Sequence, residues 1–146
     1  MSPKEIIRAV VAAHNAHDVE RMMSYFTEDS VMIDVASPIP LDSKNDVRKL
    51  YEMIFSSLDI HFEITGMIAE GNKVFVALRT TATGKGKLAG QDITGAKLDV
   101  FEGMFVETID DQIKTTMFYS DTATCSKQLG NYSPALEMTS KTKNIM

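Results

Sequence analysis

The stretch Ser43-Lys44-Asn45-Asp46-Val47-Arg48-Lys49-Leu50-Tyr51-Glu52-Met53-Ile54-Phe55-Ser56-Ser57-Leu58 runs on into Asp59-Ile60-His61-Phe62-Glu63-Ile64, and the hydrophobic period changes between the two. Val47, Leu50, Tyr51, Ile54, Phe55 and Leu58 fall on one helical stripe, while Ile60, Phe62 and Ile64 alternate as they would in a strand. Ser43 opens the helix, with Asp46 three residues on. Everything before this point reads as helix with one short strand, and everything after it reads as strand.

Upstream, Ser2-Pro3-Lys4-Glu5 has the form of a capping box with proline at the first helical position. Ile6, Ile7, Val10, Val11, Ala13 and His14 follow as a stripe. Asp18 caps a second short helix that buries Val19, Met22, Met23 and Phe26. Asp29–Val35 alternates as a strand, with Met32 and Asp34 on one face. Downstream, four strands are predicted over Ile60–Ala69, Lys73–Thr83, Lys97–Thr108 and Gln112–Asp121, with Gly71-Asn72 and Asp110-Asp111 as hairpin turns. The glycines at 84, 86 and 90 mark a longer, flexible hairpin connection. The order α-α-β-α-β-β-β-β predicts an α+β fold whose helices lie on one face of an antiparallel sheet. Residues 1–130 form one domain. The tail 131–146, rich in Ser, Thr, Lys and Asn, is expected to be a loose arm or one that crosses a dimer partner.

The bulk numbers exclude several functions. A chain of 146 residues, 44% hydrophobic and 24% charged, can bury a core of its own. A net charge of −5 with no basic block removes the electrostatic term behind nucleic-acid binding and argues against anionic membranes as partners. No apolar run approaches the roughly 20 residues of a membrane span. One cysteine, Cys125, precludes an internal disulfide and suits a reducing compartment, so a cytoplasmic location is expected. Gly84-x-Gly86-x-x-x-Gly90 precedes no helix and is neither a phosphate loop nor a dinucleotide fingerprint. No cofactor is expected.

The run Val11-Ala12-Ala13-His14-Asn15-Ala16-His17-Asp18 resembles the helix-to-helix signature of SnoaL-like proteins. Phe26-Thr27-Glu28-Asp29 with Val31 and Asp34, and Gln112-Ile113 through Tyr119-Ser120-Asp121 to Gln128-Leu129-Gly130, resemble the same superfamily, the nuclear-transport-factor-2-like group. That resemblance implies a curved antiparallel sheet wrapped around three N-terminal helices, forming a cone-shaped pocket for a small apolar, carbonyl-containing molecule, often in a homodimer. In the ketosteroid isomerase branch, Asp34 matches the catalytic base and Tyr51 a supporting tyrosine. Val10 and Met104 stand where that branch places its two oxyanion donors. Met104 and Phe118 stand where the polyketide cyclase branch places a histidine and an aspartate.

Three candidate catalytic residues follow. Asp34, in an apolar cone, would be desolvated and raised toward the range of a useful general base; the alternative is a solvated carboxylate on the less apolar strand face. Glu102 alternates with Leu98, Val100, Met104 and Val106, and held neutral it would donate to an oxyanion. The alternative is a rim or interface carboxylate, since Phe101 and Phe105 make the other face nearly as apolar. His14 extends the first stripe into the pocket as donor or proton carrier, or is a satisfied core histidine. His17 reads as a turn residue, and His14, His17 and Asp18 make only a thin metal set, so no metal is expected. Val10, Met32, Tyr51, Phe55, Leu78, Met104 and Phe118 are the candidate pocket wall, or ordinary core. The reactions these residues would serve are isomerisation, cyclisation or dehydration with Asp34 as base; the competing reading is a non-catalytic ligand-binding or interaction domain. Phe75, Phe101 and Phe105 mark an outer sheet face suited to dimerisation.

Overall fold

A computed structural model describes residues 1–37 and 39–130; the predicted tail lies outside them. Helix α1, Pro3–Asn15, starts at the capping box: the Glu5 amide donates to Ser2 Oγ at 3.2 Å and the Ser2 amide to Glu5 Oε2 at 2.7 Å. Asp18 caps α2, Val19–Met23, by accepting from the Arg21 amide at 3.0 Å. Strand β1, Phe26–Asp34, leads to α3, Lys44–Ser57, where Ser43 Oγ accepts from the Asp46 amide at 3.1 Å. Then come β2 Leu58–Glu70, β3 Lys73–Gly84, the short β4 Lys87–Leu88 and β5 Gln91–Asp92, β6 Lys97–Ile109 and β7 Gln112–Tyr119. Asp110 and Asp111, both left-handed, make the β6–β7 turn.

The main sheet has the order β1-β7-β6-β3-β2. It is mixed rather than antiparallel, because β1 pairs with β7 in parallel. A hairpin dictates antiparallel pairing, but β1 leaves its edge through α3 to β2 at the opposite edge, so no turn fixes its direction against β7. Register shifts at Ile64/Gly66 and Glu107/Thr108 bend the long strands. The concave face carries Met32, Thr116, Met104, Val106, Val76, Leu78 and Phe62. It packs on Ile6, Ile7, Val10 and Val11 of α1, Met22 and Met23 of α2, and Val47 and Tyr51 of α3, all buried.

Two further elements depart from the sequence reading. Thr122–Leu129 forms a fourth helix, α4, capped by Asp121 and ended by left-handed Gly130. The glycine-rich connection is a folded turn rather than an open loop. Gly84 donates to Ala96 C=O at 2.8 Å and accepts from Gly95 at 2.9 Å, while Leu88 and Ile93 are buried beneath it. A Cβ at Gly84 would lie 1.8 Å from the Ile93 carbonyl oxygen, so only glycine permits this crossing.

Candidate functional site

Between the concave face and α3 lies a cavity of about 110 Å³. Its walls come from every layer: His14 of α1; Met32 and Asp34 of β1; Ser37, Ile39 and Leu41 of the segment after it; and Leu50, Tyr51 and Ile54 of α3. The sheet adds Leu58, Ile60, Phe62, Thr80, Leu98, Glu102, Phe118 and Ser120, and α4 adds Cys125. A pair of hydrogen bonds between Met32 and Leu41, at 2.8 and 2.9 Å, holds the segment after β1 against the mouth.

All three candidate catalytic residues therefore meet in one cavity. Sheet register explains the carboxyls: Asp34 pairs with Phe118 and Phe118 with Met104, so one same-face step along puts Ser120 beside Glu102. Burial pushes the Asp34 carboxyl up, against the Ala36 amide, which donates to it at 2.9 Å, and the Ser120 hydroxyl. Glu102 is also pushed up by burial. The hydroxyls of Thr80 and Ser120 beside it ease the charge, and the charges of Asp34 and Asp121 add to the rise. Thr80 Oγ1 is itself buried with no completed hydrogen bond. Tyr51 is raised by burial, then by Glu102 and Asp34. The Cys125 thiol is pushed up to about 12 by burial and by Glu102, Asp121 and Asp34.

His14 is 1% exposed and stacks on Phe62 at 3.7 Å, with edge contacts to Tyr51 and Phe55. Burial lowers its pKa to about 4, so the ring is neutral. Its tautomer follows from its neighbour. Asn15 Nδ2 donates to the Phe62 C=O at 2.9 Å and Asn15 Oδ1 accepts from the Phe62 amide at 2.8 Å, which fixes the carboxamide's orientation. Oδ1 lies 3.0 Å from His14 Nδ1, so Nδ1 carries the proton and Nε2, which has no partner, carries the lone pair. With this tautomer Nε2 is an acceptor, on a ring that lines the cavity where the sequence reading offered a donor or proton carrier.

Met32, Tyr51 and Phe118 stand on the wall. Val10 and Met104 line an adjoining cavity of about 20 Å³ that shares His14, Met32, Tyr51 and Phe62 with the first. Leu78 and Phe55 line neither. Leu78 is packed into the core, and Phe55 stacks on His17 at 4.5 Å because α3 turns Leu50 and Ile54 toward the cavity instead. His17 is more than a turn residue: its Nε2 sits 3.0 Å from the Ile60 carbonyl. His14 Nδ1 lies against Asn15 Oδ1, and Asp18 caps α2. Sequence reasoning missed Ser120, Thr80 and Cys125. Alternation from Phe118 and Leu78 reaches the first two, whereas Cys125 depends on α4 folding back.

A curved mixed sheet closed by helices over an apolar cavity with two carboxyls defines a cone-type α+β pocket protein. The chain belongs to the SnoaL-like polyketide cyclase family, which it matches over residues 4–129. No functionally curated protein matches its sequence. Among solved structures it is similar to IdmH of Streptomyces antibioticus, named as a candidate polyketide cyclase, with TM-score 0.77 and 19% identity over 89% of this chain and 99% of that one. A protein of Xanthomonas campestris pv. campestris with the same designation gives TM-score 0.80 and 16% identity, covering 87% and 96%. An epoxide hydrolase of M. tuberculosis gives 0.71 and 14%, covering 86% of each. At these identities the likeness is one of fold.

Proposed function

We propose that this protein is a cofactor-independent acid–base catalyst of the isomerase, cyclase or dehydratase kind, acting on a small, largely apolar carbonyl compound. The observation that supports it is the pair of unequally buried carboxyls, Asp34 and Glu102, flanking Ser120 in one apolar wall. Asp34, ionised, acts as the base and removes a proton from the carbon next to the carbonyl. Glu102, kept protonated, donates to the oxygen as the enolate forms, and Asp34 returns its proton to carbon, so the balance closes. Met104 occupies a donor position of the isomerase branch, and Glu102 lies two residues before it on the same strand face. The donor has moved by one same-face step, about 7 Å. Tyr51 backs the pocket and His14 accepts a hydrogen bond at its far wall.

In this reading the active form has Asp34 ionised and Glu102 protonated. The test is exchange of α-protons for deuterium in cyclic ketones, followed by NMR. Asp34→Asn should abolish exchange and Glu102→Gln should reduce it at least tenfold, with ketone binding kept in both. Exchange that survives Asp34→Asn refutes the assignment. The apolar Val10, Met104 and Phe118 at the family's polar positions favour a second reading, a non-catalytic binding domain; ketone binding without exchange in the unaltered protein would establish it.

We also propose a homodimer through the convex face, where Ile68, Phe75, Phe105 and Met117 stand in one row across four strands. Ile68 is 76% exposed and Phe101, nearby, 73%. No described helix is long and apolar enough to cross a membrane; with the unpaired Cys125, this supports a cytoplasmic setting.

A further inference from the structure

The cavity wall has a charge asymmetry that acid–base chemistry alone does not require. Among the described residues neither Lys nor Arg lines the cavity beside its carboxyls, Asp34 and Glu102. The cation nearest in sequence to Thr80, Arg79, points to the outer face and is paired with Asp99 at 2.7 Å. The remaining walls include the aromatic rings of Tyr51, Phe62, Phe118 and neutral His14. His14 Nε2, an acceptor in a ring that is 1% exposed, has no hydrogen-bond partner among the described residues. Faces of aromatic rings and uncompensated carboxyls both attract positive charge, and a bare imidazole nitrogen adds to the same field.

Resting on the reading that ligand enters this cavity, we infer that its preferred ligands carry a cationic amine on an apolar body, and that anionic ligands are rejected. An ammonium group sits against Asp34 and Glu102 with its substituents on the rings of Tyr51, Phe62 and Phe118. Burial, which holds both carboxyls above the ordinary range, is offset once a cation lies between them, so ligand uptake favours their ionised forms. The net charge of −5 works in the same direction at long range. The other ionisable groups around the pair are His14 from α1, Tyr51 from α3, and Asp121 and Cys125 at α4. His14 stays neutral above about pH 4, burial raises the Cys125 thiol to about 12 and also raises the Tyr51 phenol, so both stay uncharged, and Asp121 is an anion; none adds positive charge at neutral pH.

The experiment is calorimetric titration of the whole chain with three probes of one shape class: benzyltrimethylammonium, its uncharged carbon isostere neopentylbenzene, and phenylacetate. The ammonium should bind about tenfold or more tighter than the isostere, and phenylacetate should not bind. In the Asp34→Asn/Glu102→Gln double variant that advantage should vanish while neopentylbenzene affinity stays. With the unaltered chain the ammonium, whose own charge does not titrate, should bind more tightly as pH rises through the carboxyl range. Isostere binding equal to or tighter than ammonium overturns the inference, as does an ammonium advantage that survives the double variant, or failure of both probes. Ketone exchange is a separate readout: if it persists while the ammonium fails, only the charge preference is lost. If neither ketone nor any probe binds, the catalytic reading falls too.

Discussion

Replacing Asn15 by alanine tests the link between the sheet edge and the site. β2 is an edge strand, so every second residue turns its amide and carbonyl away from the ladder. At Phe62 both groups are taken up by the Asn15 carboxamide, at 2.8 and 2.9 Å, much as a further strand would take them. Asn15→Ala strips two partly buried backbone groups of their partners. Each costs about 1–3 kcal/mol if left dry, and water at the edge brings the sum to roughly 2–4 kcal/mol. For a chain of this size that lowers the melting temperature by on the order of 10 °C. Asn15→Asp keeps the acceptor for the Phe62 amide but faces its carbonyl with an oxygen, so it should do no better at neutral pH. Urea melts give the free energies, and long-range ¹H–¹⁵N spectra give the His14 tautomer: protonated Nδ1 and bare Nε2 in the unaltered protein, a mixture in Asn15→Ala. A change under about 0.5 kcal/mol, within the range of ordinary surface substitutions, would refute the clamp. A proton found on Nε2 of the unaltered protein would refute the assigned tautomer.

Three further outcomes follow from the same geometry. The folded protein holds more protons on Asp34 and Glu102 than the unfolded chain does, so stability is full below the unfolded carboxylate range and declines as pH rises through the raised folded values. Glu102→Gln, and to a lesser degree Asp34→Asn, should therefore raise stability at neutral pH and flatten its pH dependence in urea melts; destabilisation there would contradict the burial of these groups. Gly84→Ala forces a carbon to within 1.8 Å of the Ile93 carbonyl and should cost about 3 kcal/mol, read by the same melts. Phe105→Lys on the convex face should convert dimer to monomer in sedimentation with little change in folding, and an unaltered oligomeric state would remove that face from consideration.

The sequence states the helices and hairpins through local chemistry. Ser2, Asp18 and Ser43 announce helix starts because a cap is satisfied within three residues, and Asp110-Asp111 announces a turn because both residues take the left-handed backbone a tight hairpin needs. Alternation on β6 places Glu102 on the face of Val100 and Met104, and the structure keeps it there. What stays hidden is what depends on partners far along the chain. Leu50, Tyr51, Ile54 and Phe55 share one stripe, and only the docking angle of α3 decides that Phe55 meets His17 while Leu50 and Ile54 meet the cavity. The role of Asn15 is silent for the same reason, since its partner, Phe62, is 47 residues away.

The parallel direction of β1 is the feature that local patterns could not supply, and the site depends on it. Phe26 lies level with Ile113 and Asp34 level with Phe118, so β1 delivers its carboxylate at the end of β7 where Ser120 and Glu102 stand. Run antiparallel, the same strand would bring Asp34 level with Ile113, five residues or about 17 Å from Phe118 along the sheet. The two carboxyls would then stand apart, and no apolar wall would hold both. The crossover through α3 leaves the direction of β1 open, and in the parallel arrangement Met32 lines the smaller cavity with Tyr51 and Phe62. The chemistry proposed for Asp34 and Glu102 is thus set by how the edge of the sheet is closed, before either side chain is considered.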